Sequence, residues 1–526
     1  MTSETYETLN KAWKQTCKVI FGGEIGELKE FREWLTKGMG KTRKSKSALS
    51  GKDVYSAVPY YCKDARFISF DEIDYGRKFE PLGINEVKDI DSVVDALKER
   101  FTYTGNVVLG NSNDVEASSN VQNSSHIFDS TFAFNSEYCA YCYGMTKTNK
   151  YAFGIYMASA SEFIINAYVS GRRSARCFEI WHVTGSSDCY YCFNCDGMHD
   201  ALFCFNQRGK KNIIGNLELP KDKFSELKAK LLAEMRDGLK RSKSLPSLME
   251  LVSEARKRPE VPEVDVKEDV KKTDMGAIEK AFSDASKVVL GKELHGLGSY
   301  EAWLMGNVPN IEKAKSFLSG KPSYRGLTAP HSLMAKERIV TEKEAWEIGG
   351  RLKMGEKDIE SLESIKNALW KIAVINTELS VGENRNTIQA MIVDNSVNCY
   401  KGIMMSAAEN AAFCYYPRDS KYMFGDNSVI DSSFCIRSYF SSNLTRAFEA
   451  DSCTNSADIY FSHNCENVHD GMFCFNAKNA RNAIGNTEMP MDKYRSAKKS
   501  LLEQIVTELE KKKTLKWDIY SIGCAK

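Results

Sequence analysis

The chain has 526 residues, of which 42% are hydrophobic, so it is long enough for two or more domains with their own cores. Its 72 basic and 70 acidic residues give a formal net charge of +2, which excludes nucleic-acid binding, membrane-surface binding or DNA mimicry driven by overall charge. The N-terminus lacks a charged segment followed by an apolar core, and no segment approaches the roughly 18 apolar residues of a membrane helix. We therefore expect a cytoplasmic protein without membrane insertion, whose 16 cysteines are mostly reduced thiols.

Each half of the chain is predicted to open with amphipathic helices. Apolar residues recur at helical spacing near the N-terminus, and the same pattern returns 269 positions later. These residues are Leu9, Ala12, Trp13, Val19 and Ile20, followed by Ile278, Ala281, Phe282, Val288 and Val289. Stripes of this kind are ordinarily core, so their aromatic residues need no cofactor to explain them.

The segment from Lys37 to Lys52 carries six basic side chains and no acidic one. Its Gly, Ser and Lys content predicts a mobile loop. Such a loop is either a solvated connector or a contact for a polyanion, with RNA the first candidate. The residues that would make this contact are Lys41, Arg43, Lys44 and Lys46.

From about Asn111 the composition shifts to Ser, Asn, Cys, Tyr and Phe, and small or apolar residues recur about every 12 positions. The series is Ile127, Cys139, Ala152, Phe163, Cys177, Cys189 and Ala201 in the first half, and Cys399, Ala411, Met423, Phe434, Ala447, Ile459 and Gly471 in the second. A period near 12 predicts a β-solenoid, in which each repeat adds short strands that stack on the previous ones. The register places Asp426 and Arg437 inside, which we interpret as an error of one residue that would turn both outward.

The strongest internal repeat closes each half. The segment from His199 to Phe224 matches the segment from His469 to Tyr494 at 14 of 26 positions, at a constant offset of 270. A helical pattern follows each copy and begins at Pro220 and at Pro490, where the missing donor of proline is harmless. The match predicts a tandem duplication in which a helix caps the last repeat of each copy.

The predicted fold class is α+β, with two copies that each contain a helical segment, a β-solenoid of about 12-residue repeats and a capping helix. We expect a helical head at residues 1–110 and a solenoid with capping helices at 111–255. Residues 256–275, rich in charge and proline, are expected to be a linker. The second head then covers 276–385, and the second solenoid, its cap and a docked tail cover 386–526.

One string in the first copy has metal-like spacing: Cys189, Cys192, Cys195 and His199. The second copy retains only Cys465 and His469 of this set. A solenoid also places cysteines beside one another as ladders of small buried side chains. We favour the ladder, with no metal and no cofactor, and keep the metal site as the alternative.

The pairs His199–Asp200 and His469–Asp470 are the best acid–base candidates because both copies carry them. Adjacent residues on a strand point to opposite faces, so such a pair does not form a dyad without a bend. Turn capping by His and acceptance of backbone donors by Asp explain the pairs equally well. We favour the structural interpretation, because no nucleophile elbow or paired-carboxylate motif accompanies them.

The strings CYYCFNC and FCFN, followed by NIIGN, Pro220 and a terminal helix, resemble the Cys- and aromatic-rich β-solenoid proteins encoded in archaea and candidate-phylum bacteria. The resemblance covers the two solenoids with their caps, about half of the chain. It departs from that family in having two copies, fewer repeat cysteines and no N-terminal zinc-ribbon-like cysteines. The resemblance implies a solenoid fold and an intracellular prokaryotic setting, and it transfers no catalytic residue.

The expected function is non-enzymatic binding or scaffolding, in which two solenoid surfaces are presented to a protein or ribonucleoprotein partner. Duplication would add avidity, and outward Tyr and Phe would supply anchors. The alternative is a metal-dependent or His/Asp-dependent enzyme with its site at the last repeats of the solenoid. The sequence does not identify the partner or the oligomeric state.

Overall fold

The computed structural model describes residues 3–40, 42–83, 86–170, 173–255, 257–261, 273–440 and 444–524. Within these ranges the chain is a mixed α+β structure whose sheets are dominated by parallel strand pairs. The ten α-helices in these ranges are α1 (Ser3–Phe21), α2 (Arg32–Leu35), α3 (Ile90–Leu97), α4 (Lys221–Ser242), α5 (Leu248–Glu254), α6 (Met275–Leu290), α7 (Glu301–Leu304), α8 (Glu342–Gly349), α9 (Leu362–Ala368) and α10 (Met491–Lys512).

The first half begins with two small strand pairs, β1 (Arg43–Lys46) with β2 (Asp53–Ser56) and β3 (Phe67–Ser69) with β4 (Tyr103–Gly105). We call residues 108–214 the first strand stack. Its strands are β5 (Val108–Leu109), β6 (Asn113–Glu116), β7 (Ser119–Gln122), β8 (Ser125–Phe128), β9 (Thr131–Phe134), β10 (Ser136–Ala140), β11 (Tyr143–Thr146), β12 (Asn149–Ser159), β13 (Glu162–Ser170), β14 (Ala175–Trp181), β15 (Ser187–Asp196), β16 (His199–Leu202), β17 (Phe205–Arg208) and β18 (Lys211–Ile214). The strand β19 (Leu217–Glu218) folds back antiparallel on β18.

The second half has the antiparallel pair β20 (Ile311–Lys315) and β21 (Pro322–Gly326). We call residues 379–484 the second strand stack. Its strands are β22 (Leu379–Val381), β23 (Arg385–Ile388), β24 (Ile392–Asp394), β25 (Val397–Tyr400), β26 (Met405–Ser406), β27 (Glu409–Ala412), β28 (Lys421–Phe424), β29 (Ser433–Ile436), β30 (Thr445–Asp451), β31 (Ala457–His463), β32 (His469–Met472) and β33 (Arg481–Ile484). The strand β34 (Thr487–Glu488) folds back on β33, as β19 does on β18.

Strand residues in both stacks pair in parallel with residues 12 or 13 positions later, for example Ile127 with Cys139 and Cys139 with Ala152. The backbone enters the left-handed region at nearly every third residue, so the chain bends after each short extended stretch. The register corrects the predicted series at two positions, because Ala152 pairs with Ile164 and Met423 pairs with Cys435. The series had placed Phe163 and Phe434 there, one residue too early.

Serines inside the stacks satisfy backbone donors at the bends. The backbone N–H of Ser124 donates to Oγ of Ser112 (3.1 Å), and that of Ser136 donates to Oγ of Ser124 (2.9 Å). The same pattern links Ser432 to Ser420 in the second stack (3.2 Å). A buried N–H without a partner costs about 1–3 kcal/mol, which explains why serine recurs at this position.

Asp426 and Arg437 are both buried, but the prediction that they turn outward from the stack is wrong only for Asp426. Asp426 lies inside the second stack and takes the role of an inner serine: its Oδ1 accepts the backbone N–H of Ser438 (2.8 Å), and burial raises its pKa well above the ordinary value. Arg437 lies outside the stack, one residue from the inner position, and is covered by neighbouring elements. Its guanidinium forms an ion pair with the buried carboxylate of Glu449 (2.7 Å).

The two helices that follow the stacks have equal lengths of 22 residues and begin after Pro220 and Pro490. Proline is the residue before the first helical turn in each, as expected. Phe224 and Leu231 of α4, and Tyr494 and Leu501 of α10, are buried against their own stacks.

The segments before each stack pack on both halves. Helix α1 packs on the first stack and α6 on the second. In contrast, residues 54–103 share a core with the second stack, and residues 308–375 share one with the first. Matching hydrogen bonds mark this exchange: Nδ2 of Asn206 donates to the carbonyl of Val374 (2.9 Å), and Nδ2 of Asn476 donates to that of Thr102 (2.8 Å). The segment predicted as a helical head at 1–110 also contains strands.

The cysteines divide into one disulfide and fourteen free thiols. Cys62 and Cys524 form the disulfide, which joins the first half to the C-terminal tail. The other fourteen are all buried, as the sequence predicted, whereas the disulfide was not predicted. Residue 256 and residues 262–272 of the predicted linker lie outside the described ranges, and the domain boundaries stay predictions. In the described part of the chain, no helix has both the length and the apolar composition needed to cross a bilayer.

Candidate functional site

The centre of the basic segment is the strand β1, which pairs with β2 just beyond the segment, instead of the predicted mobile loop. Arg43 donates from its guanidinium to the carbonyls of Tyr61 and Cys62, both at 2.8 Å. Lys44 and Lys46 both form ion pairs with Asp53, at 2.8 and 2.7 Å. Lys41 lies outside the described residues. Arg43 therefore stabilises the local fold, while Asp53 partly neutralises the two lysines.

The His–Asp pairs make separate contacts. Nδ1 of His199 lies 2.8 Å from Oγ of Ser187, and the carboxylate of Asp200 instead pairs with Lys228 of the capping helix. In the second half, Asp470 likewise pairs with Lys498 (3.2 Å), and its neighbour His469 precedes it on the same strand. Each aspartate therefore holds a capping helix, and neither predicted pair forms a His–Asp dyad.

The cysteines of the metal-like string lie inside the first stack. Cys189, Cys192 and Cys195 are fully buried, whereas His199 is exposed on the outer surface. Within the described ranges, no group of three or more His, Cys, Asp or Glu side chains is positioned to hold a metal ion. Burial raises the pKa of the Cys142 thiol inside the first stack to about 12.

Two buried glutamates that sequence reasoning missed dock the segments that follow the capping helices. Oε1 of Glu179 accepts hydrogen bonds from Nε1 of Trp181 and from the backbone N–H of Leu248, both at 2.9 Å. Glu449, 270 positions later, accepts the backbone N–H of Ile519 (2.7 Å). Burial raises the pKa of Glu179 to about 7 and that of Glu449 to about 8. These contacts are structural.

A cavity of about 280 Å³ lies between the two strand stacks, and we call it the inter-stack cleft. One wall is a ladder of the first stack and the other is a ladder of the second, in which successive side chains are 12 or 13 residues apart. The ladders are Asn120, Phe132, Gly144 and Met157 on one side, and Tyr416, Ser428, Phe440, Ser452 and Asn464 on the other. All nine residues have positive φ, so they sit at the bends of their stacks.

Contacts between the walls hold the cleft together. The rings of Phe132 and Phe440 stack with centroids 4.5 Å apart. The hydroxyls of Tyr156 and Tyr415 lie 2.9 Å apart, and the Tyr415 hydroxyl also donates to Sδ of Met157 (3.2 Å). Gly144 contributes no side chain between Phe132 and Met157, and a Cβ there would lie 2.9 Å from Cγ of Met157. The glycine therefore makes room for the side chain of Met157 in the wall.

The cleft lining is mainly apolar with a few polar and charged groups. Phe70, Tyr75, Phe134, Tyr143 and Ile430 add apolar surface to the ladder residues. The charged side chains that line it are Lys147, Arg418 and Glu466. Such a combination of apolar walls and few polar groups is typical of small-molecule sites, whose volumes begin at about 300 Å³.

The two strand stacks have a second junction, equivalent to the one that contains the cleft, and there helix α8 bridges the stacks. Thr341 and Glu344 form a capping box at the start of α8, as Ser69 and Glu72 do in the first half, and each glutamate accepts a hydrogen bond from an equivalent serine hydroxyl at 2.6 Å. After Glu72 the first half ends its single 3₁₀ turn, whereas α8 continues to Gly349.

Helix α8 contacts both stacks. The carboxylate of Glu342 accepts the backbone N–H of Ser380 in the second stack (2.8 Å). At the first stack, Nε2 of Gln207 donates to the carbonyl of Gly349 (2.6 Å), and the Arg208 guanidinium lies 3.4 Å from the ring centroid of Trp346. The helix thus connects the end of the first stack to the start of the second, while Phe70 and Tyr75 border an open cavity at the other junction.

Comparisons with protein-family models, with curated proteins and with solved structures gave no significant match to this chain. The resemblance drawn from the repeat cysteines therefore stays a prediction.

Sequence reasoning did not identify the cleft residues, although a signal for them exists. The ladders of the cleft follow the same 12-residue period as the inner ladders, five positions after Ile127 and Cys139 on the chain. At these positions, aromatic residues such as Phe132 and Phe440 alternate with small and polar ones. This alternation indicates an outward face of the stack that is not covered by an amphipathic helix.

Proposed function

We propose that the protein is a non-enzymatic binding protein formed by tandem duplication of a β-solenoid unit. Three observations support this architecture: the 26-residue repeat, the parallel register of 12 or 13 residues in both stacks, and the two 22-residue helices that follow them. A preformed β surface binds at little ordering cost. In this proposal the two solenoids form a site together, because their facing ladders enclose the inter-stack cleft.

The observation that carries the proposal is the open cleft at one junction of the stacks. At the other junction α8 bridges both stacks through Glu342 and Gly349. The second half thus has the bridging helix α8, whereas the first half ends in a single 3₁₀ turn at the equivalent position. At that junction an aromatic cavity of about 280 Å³ stays open. This volume favours a small molecule as the occupant.

The macromolecular partner expected from the sequence remains a proposal for the outward faces of the solenoids. Those faces carry alternating charges, such as Lys150 with Glu137 (3.0 Å) and Lys421 with Glu409 (2.7 Å). Exposed pairs of this kind contribute about 0–1 kcal/mol and provide little binding energy. The cleft is therefore the better supported site, and a catalytic role for the His–Asp pairs has less support because their aspartates hold the capping helices.

Binding of a neutral fluorescent probe, N-phenylnaphthylamine, tests the proposal. We expect saturable binding with a rise in fluorescence, and loss of that binding in Ser428→Phe, which places a ring between Tyr416 and Phe440 on the wall. The ladder already accepts phenylalanine at the same positive φ at Phe440, so the variant should fold. Ser433→Phe, on the outward face of β29, is the matched control and should bind normally. Equal binding by both variants, or no binding by the wild type, contradicts the proposal.

A further inference from the structure

The charges of the inter-stack cleft are unbalanced toward positive. Lys147 and Arg418 line it, and the acidic lining residue is Glu466. The Glu466 carboxylate already pairs with Lys478 at 2.8 Å. An occupant therefore meets two cationic side chains and an acid whose charge is neutralised.

The side chain of Arg418 is held in place by Tyr416 and has further N–H groups available to donate hydrogen bonds. Its Nη1 donates to the hydroxyl of Tyr416 (3.2 Å), and the guanidinium lies 5.4 Å from the centroid of the same ring. A guanidinium has several further N–H donors in a fixed planar fork that matches a carboxylate. The contact with Tyr416 fixes the side chain before a ligand arrives, which lowers the ordering cost of binding.

The rest of the cleft suits an apolar body. Phe132, Phe440 and Met157 provide flat and flexible apolar surface, and Gly144 adds no side chain to the wall. A polar polyol would leave its hydroxyls against these rings, and a cation would meet Lys147 and Arg418.

We propose that the ligand of the inter-stack cleft is an amphipathic organic anion: a carboxylate on an alkyl or aryl body, with Arg418 binding the carboxylate. This inference rests on the proposed binding function and names the ligand class for the same site. The apolar body lies between the two ladders, and Lys147 adds attraction at longer range.

Displacement of N-phenylnaphthylamine by matched ligands tests the ligand class. Decanoate, decanol and decyltrimethylammonium share one chain and differ in charge. We expect decanoate to displace the probe about tenfold more tightly than decanol, which corresponds to about 1.4 kcal/mol, because its carboxylate can accept charge-assisted hydrogen bonds from Arg418. The cation should be the weakest competitor. Naphthoate and naphthol repeat the comparison for an aryl body. Whichever of decanoate and naphthoate binds more tightly indicates whether the natural ligand has an alkyl or an aryl body. Equal binding of acid and alcohol in both series overturns the ligand class and leaves the binding function intact, whereas displacement by none of them contradicts the binding function itself.

Two variants then test the role of Arg418. Arg418→Gln should abolish the preference for acid over alcohol while retaining decanol binding. Arg446→Gln, a substitution of an exposed arginine that pairs with Asp458 on the outside of the second stack, should keep the preference. An unchanged preference in Arg418→Gln assigns the anion to another residue and overturns the role of Arg418. The wild-type ranking alone decides the ligand class, so the test does not depend on how well the variant folds.

Discussion

The rings of Phe132 and Phe440 stack with their centroids 4.5 Å apart and their planes 20° apart, although the two residues lie in different strand stacks. The contact joins the two walls of the inter-stack cleft directly. It therefore links the packing of the two halves to the shape of the candidate site.

Replacing Phe132 with alanine is expected to destabilise the protein by about 3 kcal/mol, because the ring is buried and also contacts Tyr143 edge-on at 5.4 Å. Urea unfolding measures the loss. Phe163→Ala is the matched control, since its ring stacks on Tyr151 on the outer surface of the first stack. We expect about 1 kcal/mol there, and equal losses would mean that the stacking of Phe132 on Phe440 adds no stability.

Stability is expected to fall as pH rises from about 4.5 to about 7 through Glu179. Burial raises its pKa from 4.5 to about 7, so the folded state binds more protons than the unfolded state in this window. The contribution is complete below pH 4.5 and is lost as pH passes 7, with a total of about 3 kcal/mol.

Glu179→Gln isolates this effect, since an amide oxygen can still accept the N–H groups of Trp181 and Leu248. The unfolding free energy of the wild type minus that of the variant should fall by about 3 kcal/mol between pH 4.5 and 8, because only the wild type loses the contribution of Glu179. Subtraction removes the titration of Glu449, which is common to both proteins. A value of wild type minus variant that stays constant or rises with pH contradicts the assignment.

Thiol titration is expected to find fourteen reactive cysteines in the unfolded, unreduced protein and sixteen after reduction. In the folded protein most thiols should be unreactive, because burial excludes the reagent from all fourteen, and it also raises the pKa of individual thiols such as Cys399, to about 12. Cys62→Ser should make Cys524 reactive without reduction. Sixteen thiols in the unreduced, unfolded protein would show that Cys62 and Cys524 are not joined.

RNA binding through the basic segment, predicted from the sequence, is best tested with Lys41, Lys44 and Lys46 changed together to glutamine. Arg43 should be left intact, because its contacts with the carbonyls of Tyr61 and Cys62 stabilise the fold. We expect weakened binding and a shallower dependence on salt. The same change at Lys493, Lys499 and Lys511, which are exposed on α10, serves as a charge-matched control. If the segment variant binds as the wild type does, the segment is a solvated connector.

The α+β class and the buried cysteines were predicted from the sequence, and both are confirmed. The spacing of paired strand residues matches the predicted period because stacked side chains repeat with the backbone. The register failed by one residue at Phe163 and Phe434, because each is an aromatic residue next to the inner position, which is Ile164 in the first stack and Cys435 in the second. A 13-residue step from Ile164 to Cys177 adds to the error in the first stack, whereas the steps on both sides of Cys435 contain 12 residues.

The inter-stack cleft and the disulfide could not be predicted for a different reason. They depend on how the two stacks face each other, through pairs such as Phe132 with Phe440 and Cys62 with Cys524 that lie hundreds of residues apart. A periodic pattern describes each stack alone and contains no information on their relative placement. The exchange of segments between the halves was missed for the same reason.

A crystal structure of the protein grown with saturating decanoate tests the central claim most directly. We predict electron density for the ligand between the ladders that contain Phe132 and Phe440, with its carboxylate at hydrogen-bond distance from the guanidinium of Arg418. The junction bridged by α8 should contain no ligand. Density on an outward face of either stack, or an empty cleft at a concentration that displaces the fluorescent probe, would contradict the assignment of the inter-stack cleft as the binding site.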